Sequence, residues 1–373
     1  MSLLSLIYLF NIFTCLMTGI LLLASKITPE LKDPQYHNAK ILISSALLLM
    51  AVGKSITLLR SADILLDLFP FIPLILGSLQ ACLITFTVLI LFHSDYVSRH
   101  NIIHCLLPTC VFIILYVVSR FFAPEVRIHN WEEYGRNITN PVIIIRTTFL
   151  LTYLIVIVRY IRIFNRERKI YTGRINNYFS DTEILRSVWG TRLFYEGLTI
   201  GLLFALVCSY PSAITDGVVT VAITIFYFTF AIRYINYQYK LLVILPAVKE
   251  ILPSAVTVPE NLAVSHLLEN RLQELLNQQQ PYLTQGIVLA DLAEKLNISS
   301  RDLSYHINHT YGMNFNTWIN TLRIEYAKKL IGRTPRPSFE EIAEQSGFSD
   351  KTKFSRIFKQ ITGFLYRDYI NQL

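Results

Sequence analysis

The sequence predicts an all-α protein: a seven-helix transmembrane bundle followed by a cytoplasmic double helix-turn-helix domain. Three observations carry this expectation. Seven apolar runs precede Pro246. Each is about 20 residues or longer, the length a helix needs to cross ~30 Å of hydrocarbon. Hydrophobic residues make up 53% of the chain and charged residues only 16%, with a mean hydropathy of +0.42; soluble domains are about a quarter charged. Beyond Pro259 the composition reverses: charges of both signs become dense, and two helix-turn-helix patterns follow one another.

The expected spans are 3–25, 39–59, 68–92, 102–122, 141–164, 193–212 and 218–245. The first lacks a basic leader and an Ala-x-Ala site, so it does not read as a cleavable signal. Its first charge, Lys26, follows the span. The 165–192 loop carries Arg166, Arg168, Lys169, Arg174, Arg186 and Arg192, with Arg159 and Arg162 just before it. Opposite loops hold Arg60, and Arg120, Arg127 and Arg136 balanced by Glu125, Glu132 and Glu133. The Lys/Arg bias therefore predicts an outside N-terminus and a cytoplasmic C-terminal domain. Net charge is +8, yet residues 260–373 hold thirteen Lys/Arg against twelve Asp/Glu. The basic excess thus reports membrane topology and is no nucleic-acid signal.

Charges inside the spans have two readings. They either snorkel to the interface or mark a ligand pathway. Arg146 is expected to snorkel outward, and Glu196 to pair with Arg192 one turn earlier. Lys54 stands between the two readings. The outer loop 129–140, with Trp131, Tyr134 and Gly135, reads as a sensing lid or as an interfacial aromatic belt. Lys54 and Trp131 are the residues marked for a signal site. The five cysteines all lie in apolar runs without CxxC spacing, and no HExxH motif occurs. No metal, cofactor or enzyme activity is expected. No inverted repeat of broken helices suggests transport.

Pro246, Pro253 and Pro259 predict a linker over 246–264, separating a sensor domain (1–245) from a C-terminal domain (265–373). Leu267, Leu268, Leu272, Leu275 and Leu276 place an amphipathic helix at 265–280, either the first helix of that domain or a dimer helix. In the first unit, a helix at 289–296 ends at Asn297-Ile298. Ser299, with Asp302, caps the next. Leu303 and Ile307 face inward, leaving Arg301, Asp302, Ser304 and Tyr305 outward near the start of the helix, where a recognition helix reads bases. Gly312 suits its end. A bridging helix at 316–331 buries Trp318, Ile319, Leu322, Tyr326, Ala327 and Leu330. In the second unit, Ser338 and Glu341 form a capping box, Gly347 marks the turn, and Ser349 is expected to cap the following helix. Phe354, Ile357 and Phe358 face inward. Lys351, Thr352, Ser355, Arg356 and Lys359 face out, with Arg356 suited to a guanine O6/N7 fork and the lysines to phosphates.

With these residues in place, 282–369 resembles the DNA-binding domain of AraC/XylS-family transcription regulators. The matching residues are Leu292, Ala293, Ser299, Leu303, Gly312, Phe315, Arg323, Ala327 and Leu330. They continue through Ile342-Ala343, Gly347-Phe348-Ser349, Phe354-Ser355-Arg356, Phe358-Lys359 and Gly363. The sequence departs at Tyr305, where a basic base-reading residue is common, and after Gly363, where proline is usual. The resemblance implies an AraC-type double helix-turn-helix holding successive major-groove faces about one turn apart, with Arg323 of the bridging helix at the phosphate backbone. The expected partners are promoter double-stranded DNA, which the resemblance implies, the lipid bilayer, which the apolar spans imply, and a small-molecule, lipid or protein signal, with a homodimer allowed. The expected role is a sequence-specific regulator in the bacterial cytoplasmic membrane. The alternative is a membrane receptor or transporter-like protein whose helix-turn-helix module docks proteins.

Overall fold

The computed structural model describes residues 2–26, 34–59, 67–92, 94–181, 188–210, 212–250 and 262–372. Among these, all regular structure is helical, and the one β-type contact is an isolated bridge from Phe179 to Val288. The chain divides into two units, Met1–Tyr171 with Ser187–Leu242, and Thr172–Arg186 with Val243–Leu373.

The first unit is built from α1 (Leu3–Ala24), α2 (Pro34–Leu59), α3 (Phe71–Leu91), α4 (Arg99–Phe122), the short α5 (Trp131–Arg136), α6 (Pro141–Tyr178), α7 (Val188–Ser209) and α8 (Ala213–Glu250). All but α5 are long and apolar enough to cross a membrane. Polar residues cap α1, α4 and α5: Ser2 accepts from the Ser5 amide, Ser98 from Asn101 and Asn130 from Glu133, which closes amides that lack an intrahelical partner. α1 packs on α2, α2 on α3, and α3 on both α4 and α7. Phe10, Phe13, Ile114, Phe121 and Ile155 stay exposed. So large an apolar exterior is unfavourable in water and suits hydrocarbon.

Several expectations change here. Arg146 does not snorkel; it is 1% exposed. Its guanidinium lies 2.7 Å from the Asp67 carboxylate and donates to the carbonyls of Leu68, Phe69 (2.8 Å) and Val126 (3.1 Å). A fully bonded charge can stay in an apolar core; an unpartnered one cannot. Glu196 pairs with Arg233 at 3.5 Å, not with Arg192. α6 continues to Tyr178, past the expected end of span five at 164, and residues 172–186 belong to the second unit. α8 runs through Pro246 to Glu250, so the linker does not begin there. Pro253, Pro259, Arg60 and Arg186 lie outside the described residues.

The second unit carries α9 (Leu262–Gln279), a 3-10 turn (Pro281–Leu283), α10 (Leu289–Leu296), α11 (Ser300–Tyr311), α12 (Phe315–Ile331), α13 (Phe339–Gln345), α14 (Lys351–Thr362) and α15 (Tyr366–Asn371). The caps are largely the anticipated ones. Ser299 accepts from the Asp302 amide, and Ser338 and Glu341 form a reciprocal capping box. At α14 the cap is Asp350, which accepts from the Lys353 amide, and not Ser349. Both side chains suit the position, and Ser349 is engaged elsewhere. α9 belongs to the first head: Glu269 lies 2.7 Å from His306 and accepts from Tyr311 at 2.7 Å, and Arg271 donates to the Leu296 carbonyl. Hydrogen bonds from Tyr311, Gln273 and His306 outweigh burial and hold the Glu269 carboxyl below its ordinary range.

Phe348, Phe354 and Phe358 form the core of the second head with Ile342, Ala343 and Ile357. Fully burying one such aromatic contributes about 1.5–3 kcal/mol. Gly347 holds φ +80°, and a Cβ there would meet the Leu283 carbonyl oxygen at 2.6 Å, so conformation and space both require glycine. α15 docks although proline is missing after Gly363: Tyr366 packs against Phe339, Phe354 and Phe358 at ring separations of 4.6, 5.8 and 5.6 Å.

Candidate nucleic-acid interface

α14 is amphipathic, so burying Phe354, Ile357 and Phe358 turns its opposite face outward. Lys351, Thr352, Arg356 and Lys359 are exposed there, and Ser355 is half-buried. Lys351 reaches Glu340 at 3.1 Å, with both side chains 63% exposed. Exposed pairs of this kind are worth at most about 1 kcal/mol, so a phosphate can displace the carboxylate. The second head therefore presents a basic and hydroxyl face along α14, from Lys351 to Lys359, the arrangement that pairs phosphate contacts with a base-edge fork.

The first head is different. Arg301, Asp302 and Tyr305 are exposed and Ser304 is half-buried. Asp302 is engaged locally, accepting from the Ser299 hydroxyl at 2.7 Å. Tyr305 stacks on His309 with ring centroids 5.7 Å apart. This surface has one cation where α14 has three, and an aromatic plate where a basic residue is common.

Arg323 lies elsewhere than expected. It is 1% exposed. Its guanidinium donates to the carbonyls of Tyr282 (2.6 Å) and Thr284 (2.8 Å) and sits 5.6 Å from the Phe348 ring centroid. Desolvation lowers its pKa to about 10, with Asp181 opposing. A side chain held in this way cannot reach a phosphate. It ties the turn after α9 to the bridging helix α12.

A second set of polar residues escaped the sequence reading. Asp181 is 2.9 Å from Lys353 Nζ and accepts from the Ser349 hydroxyl at 3.2 Å. Ser180 donates through its hydroxyl to the Ile287 carbonyl at 2.6 Å, and the Asn316 amide donates to the Phe179 and Ser180 carbonyls at 3.2 and 2.7 Å. Nothing in local periodicity marks residues far apart in the chain as partners.

In the first unit, Lys54 lies 3.2 Å from both Asp216 oxygens and 4.6 Å from the Tyr8 ring centroid, and Tyr8 donates to the same carboxylate. Lys54 and Asp216 line a cavity of about 150 Å³ with Gln80, Tyr153, Cys208 and Tyr227 among apolar walls. Trp131 is not part of that lining. It is 47% exposed and meets Phe69, Tyr134 and Tyr210 edge-on or tilted. The structure thus brings Lys54, but not Trp131, to the cavity. Asp216 was the missing partner: its position early in α8 gives no sign of contact with α2.

Residues 292–372 match the family described as a helix-turn-helix domain, of the AraC type. The chain also resembles an HTH-type transcriptional regulator of Staphylococcus aureus strain COL, 30% identical over 98 residues, 26% of this chain and 13% of the relative. It also resembles the regulatory protein PocR of Salmonella typhimurium, 27% identical over 28% of this chain and 35% of that protein. The similarity thus spans about an eighth of the Staphylococcus protein and about a third of PocR. No solved structure matches the chain.

Proposed function

We propose that this protein is a membrane-anchored, sequence-specific transcription regulator whose two C-terminal heads bind promoter DNA and whose N-terminal helices receive the signal. The observation that supports it most is the outward face of α14: three cations and two hydroxyls on a recognition helix, in a domain that matches the helix-turn-helix family. The apolar helices of the first unit and the Lys/Arg-rich segment after span five support placing the heads in the cytoplasm. Arg301, Ser304 and Tyr305 serve the first head, and Lys351, Thr352, Ser355, Arg356 and Lys359 the second.

The deciding experiment presents the purified full chain, in nanodiscs, with genomic fragments and selects those it retains. Enrichment of a common sequence and steep weakening of binding with salt are expected. Retention of fragments without any shared sequence would leave only non-specific attraction and overturn promoter recognition. The docking alternative predicts no retention at all.

For the signal, the Lys54–Asp216 pair in its cavity supports uptake of a small amphiphile from the bilayer. Lys54→Met alone leaves the half-buried Asp216 carboxylate without its counter-charge and is expected to destabilise the first unit by about 1–3 kcal/mol. The double change Lys54→Met with Asp216→Leu removes both charges. It should restore folding while abolishing the response of a reporter promoter to growth conditions that move the wild type. A double variant that still responds would show that the signal enters elsewhere.

A further inference from the structure

The stretch 179–181 behaves unlike an ordinary connection. Its polar groups are satisfied almost wholly by the DNA-binding unit. The Ser180 amide and hydroxyl both point to the Ile287 carbonyl, at 3.3 and 2.6 Å, and Phe179 bridges Val288. The carbonyls of Phe179 and Ser180 accept from Asn316. Asp181 accepts from Ser349 and pairs with Lys353 at 2.9 Å, where the lysine side chain is only 3% exposed. Ser180 is fully buried and Phe179 6% exposed.

The partners are distributed in a particular way. Ile287 and Val288 lead into α10, Asn316 stands in the first turn of α12, and Ser349 and Lys353 flank the start of α14. One short stretch therefore holds the entry of the first head, the bridge, and the recognition helix of the second head. It also sets a carboxylate at the N-terminal end of α14, where DNA phosphate would gain from the helix dipole and from lysine. The carboxylate neutralises one cation and repels phosphate from the same end.

We infer that residues 179–181 form an intramolecular clamp on the DNA-binding unit, with Asp181 competing against backbone phosphate, and that its release raises affinity for duplex. This rests on the DNA-binding reading above. The clamp follows directly on α6, whose earlier part belongs to the other unit. Movement of that helix is thus a route by which the first unit acts on the second.

The test uses the full chain in nanodiscs and a fluorescent mixed-sequence duplex, titrated over a range of salt. Asp181→Asn keeps size and removes the charge. It is expected to bind the duplex several-fold more tightly than wild type at low salt, with a log–log salt slope steeper by about 0.9, one phosphate contact. Asn316→Ala removes the carbonyl anchors without touching any charge and should shift affinity and slope in the same direction. Against misfolding as the cause, Asp181→Cys with Ser349→Cys, in a Cys110→Ser background, provides a reversible lock. Oxidised protein should bind the duplex more weakly than the same sample after reduction. Wild-type affinity and slope in Asp181→Asn, with a lock that changes nothing, would overturn the clamp while leaving DNA binding intact. Failure of wild type and all variants to bind any duplex would remove the DNA-binding reading, and the clamp with it.

Discussion

Arg356→Ala is expected to weaken binding to the selected promoter sequence by about 5- to 150-fold, the value of one bidentate base contact at 1–3 kcal/mol. Arg356 lies on the exposed face of α14, opposite Phe354 and Phe358, which are fully buried. Truncating it creates no core cavity, so folding and membrane level should stay at wild-type values. The loss should be selective, large on the preferred sequence and small on a mixed duplex, because base contacts specify while phosphate contacts only position. Lys359→Ala is the internal control. It should lower affinity for all duplexes alike and reduce the salt slope by about 0.9. If Arg356→Ala weakened both duplexes equally, the fork to guanine would be wrong and Arg356 would be one more phosphate contact.

Arg323→Met should lower the stability of the C-terminal unit by about 3 kcal/mol, since hydrogen bonds to charged groups contribute ~1.5–3 kcal/mol each. Two carbonyls, those of Tyr282 and Thr284, lose their donor. Methionine retains much of the stem that packs in the core. For a domain of roughly 100 residues this corresponds to a fall of about 12–24 °C in the melting temperature of that unit. Below the melting transition the salt slope of duplex binding should stay as in wild type. The opposite pattern, an unchanged melting temperature with a slope reduced by about 0.9, is what a phosphate contact predicts, and it would overturn the buried role.

The contrast between Arg323 and Arg356 shows how far the chain could be read by itself. Both sit in helices next to apolar residues, and both match the family pattern. For Arg356 the helical period decides the outcome, because Phe354, Ile357 and Phe358 take the inner face of α14. For Arg323 the period is indifferent: a buried guanidinium is tolerable only where acceptors wait, and these come from the turn at 281–284, some forty residues earlier. Arg146 repeats the lesson. Taken alone it belongs at an interface. With Asp67 and three carbonyls converging on it, it becomes one of the best-bonded buried side chains in the first unit.

Composition and periodicity alone determined the helical class, seven apolar helices of membrane-crossing length, the two helix-turn-helix units, most of their caps and the basic face of α14. These depend on residues within a few turns of one another, where the 3.6-residue repeat and capping chemistry act. Tertiary structure decided the partners of the buried charges: Arg146 with Asp67, Lys54 with Asp216, Arg323 with the carbonyls near Tyr282, and Lys353 with Asp181. The physical reason is that a charge leaves water only if opposite charge or acceptors meet it at hydrogen-bonding distance, and which distant residue does so is set by how the helices pack.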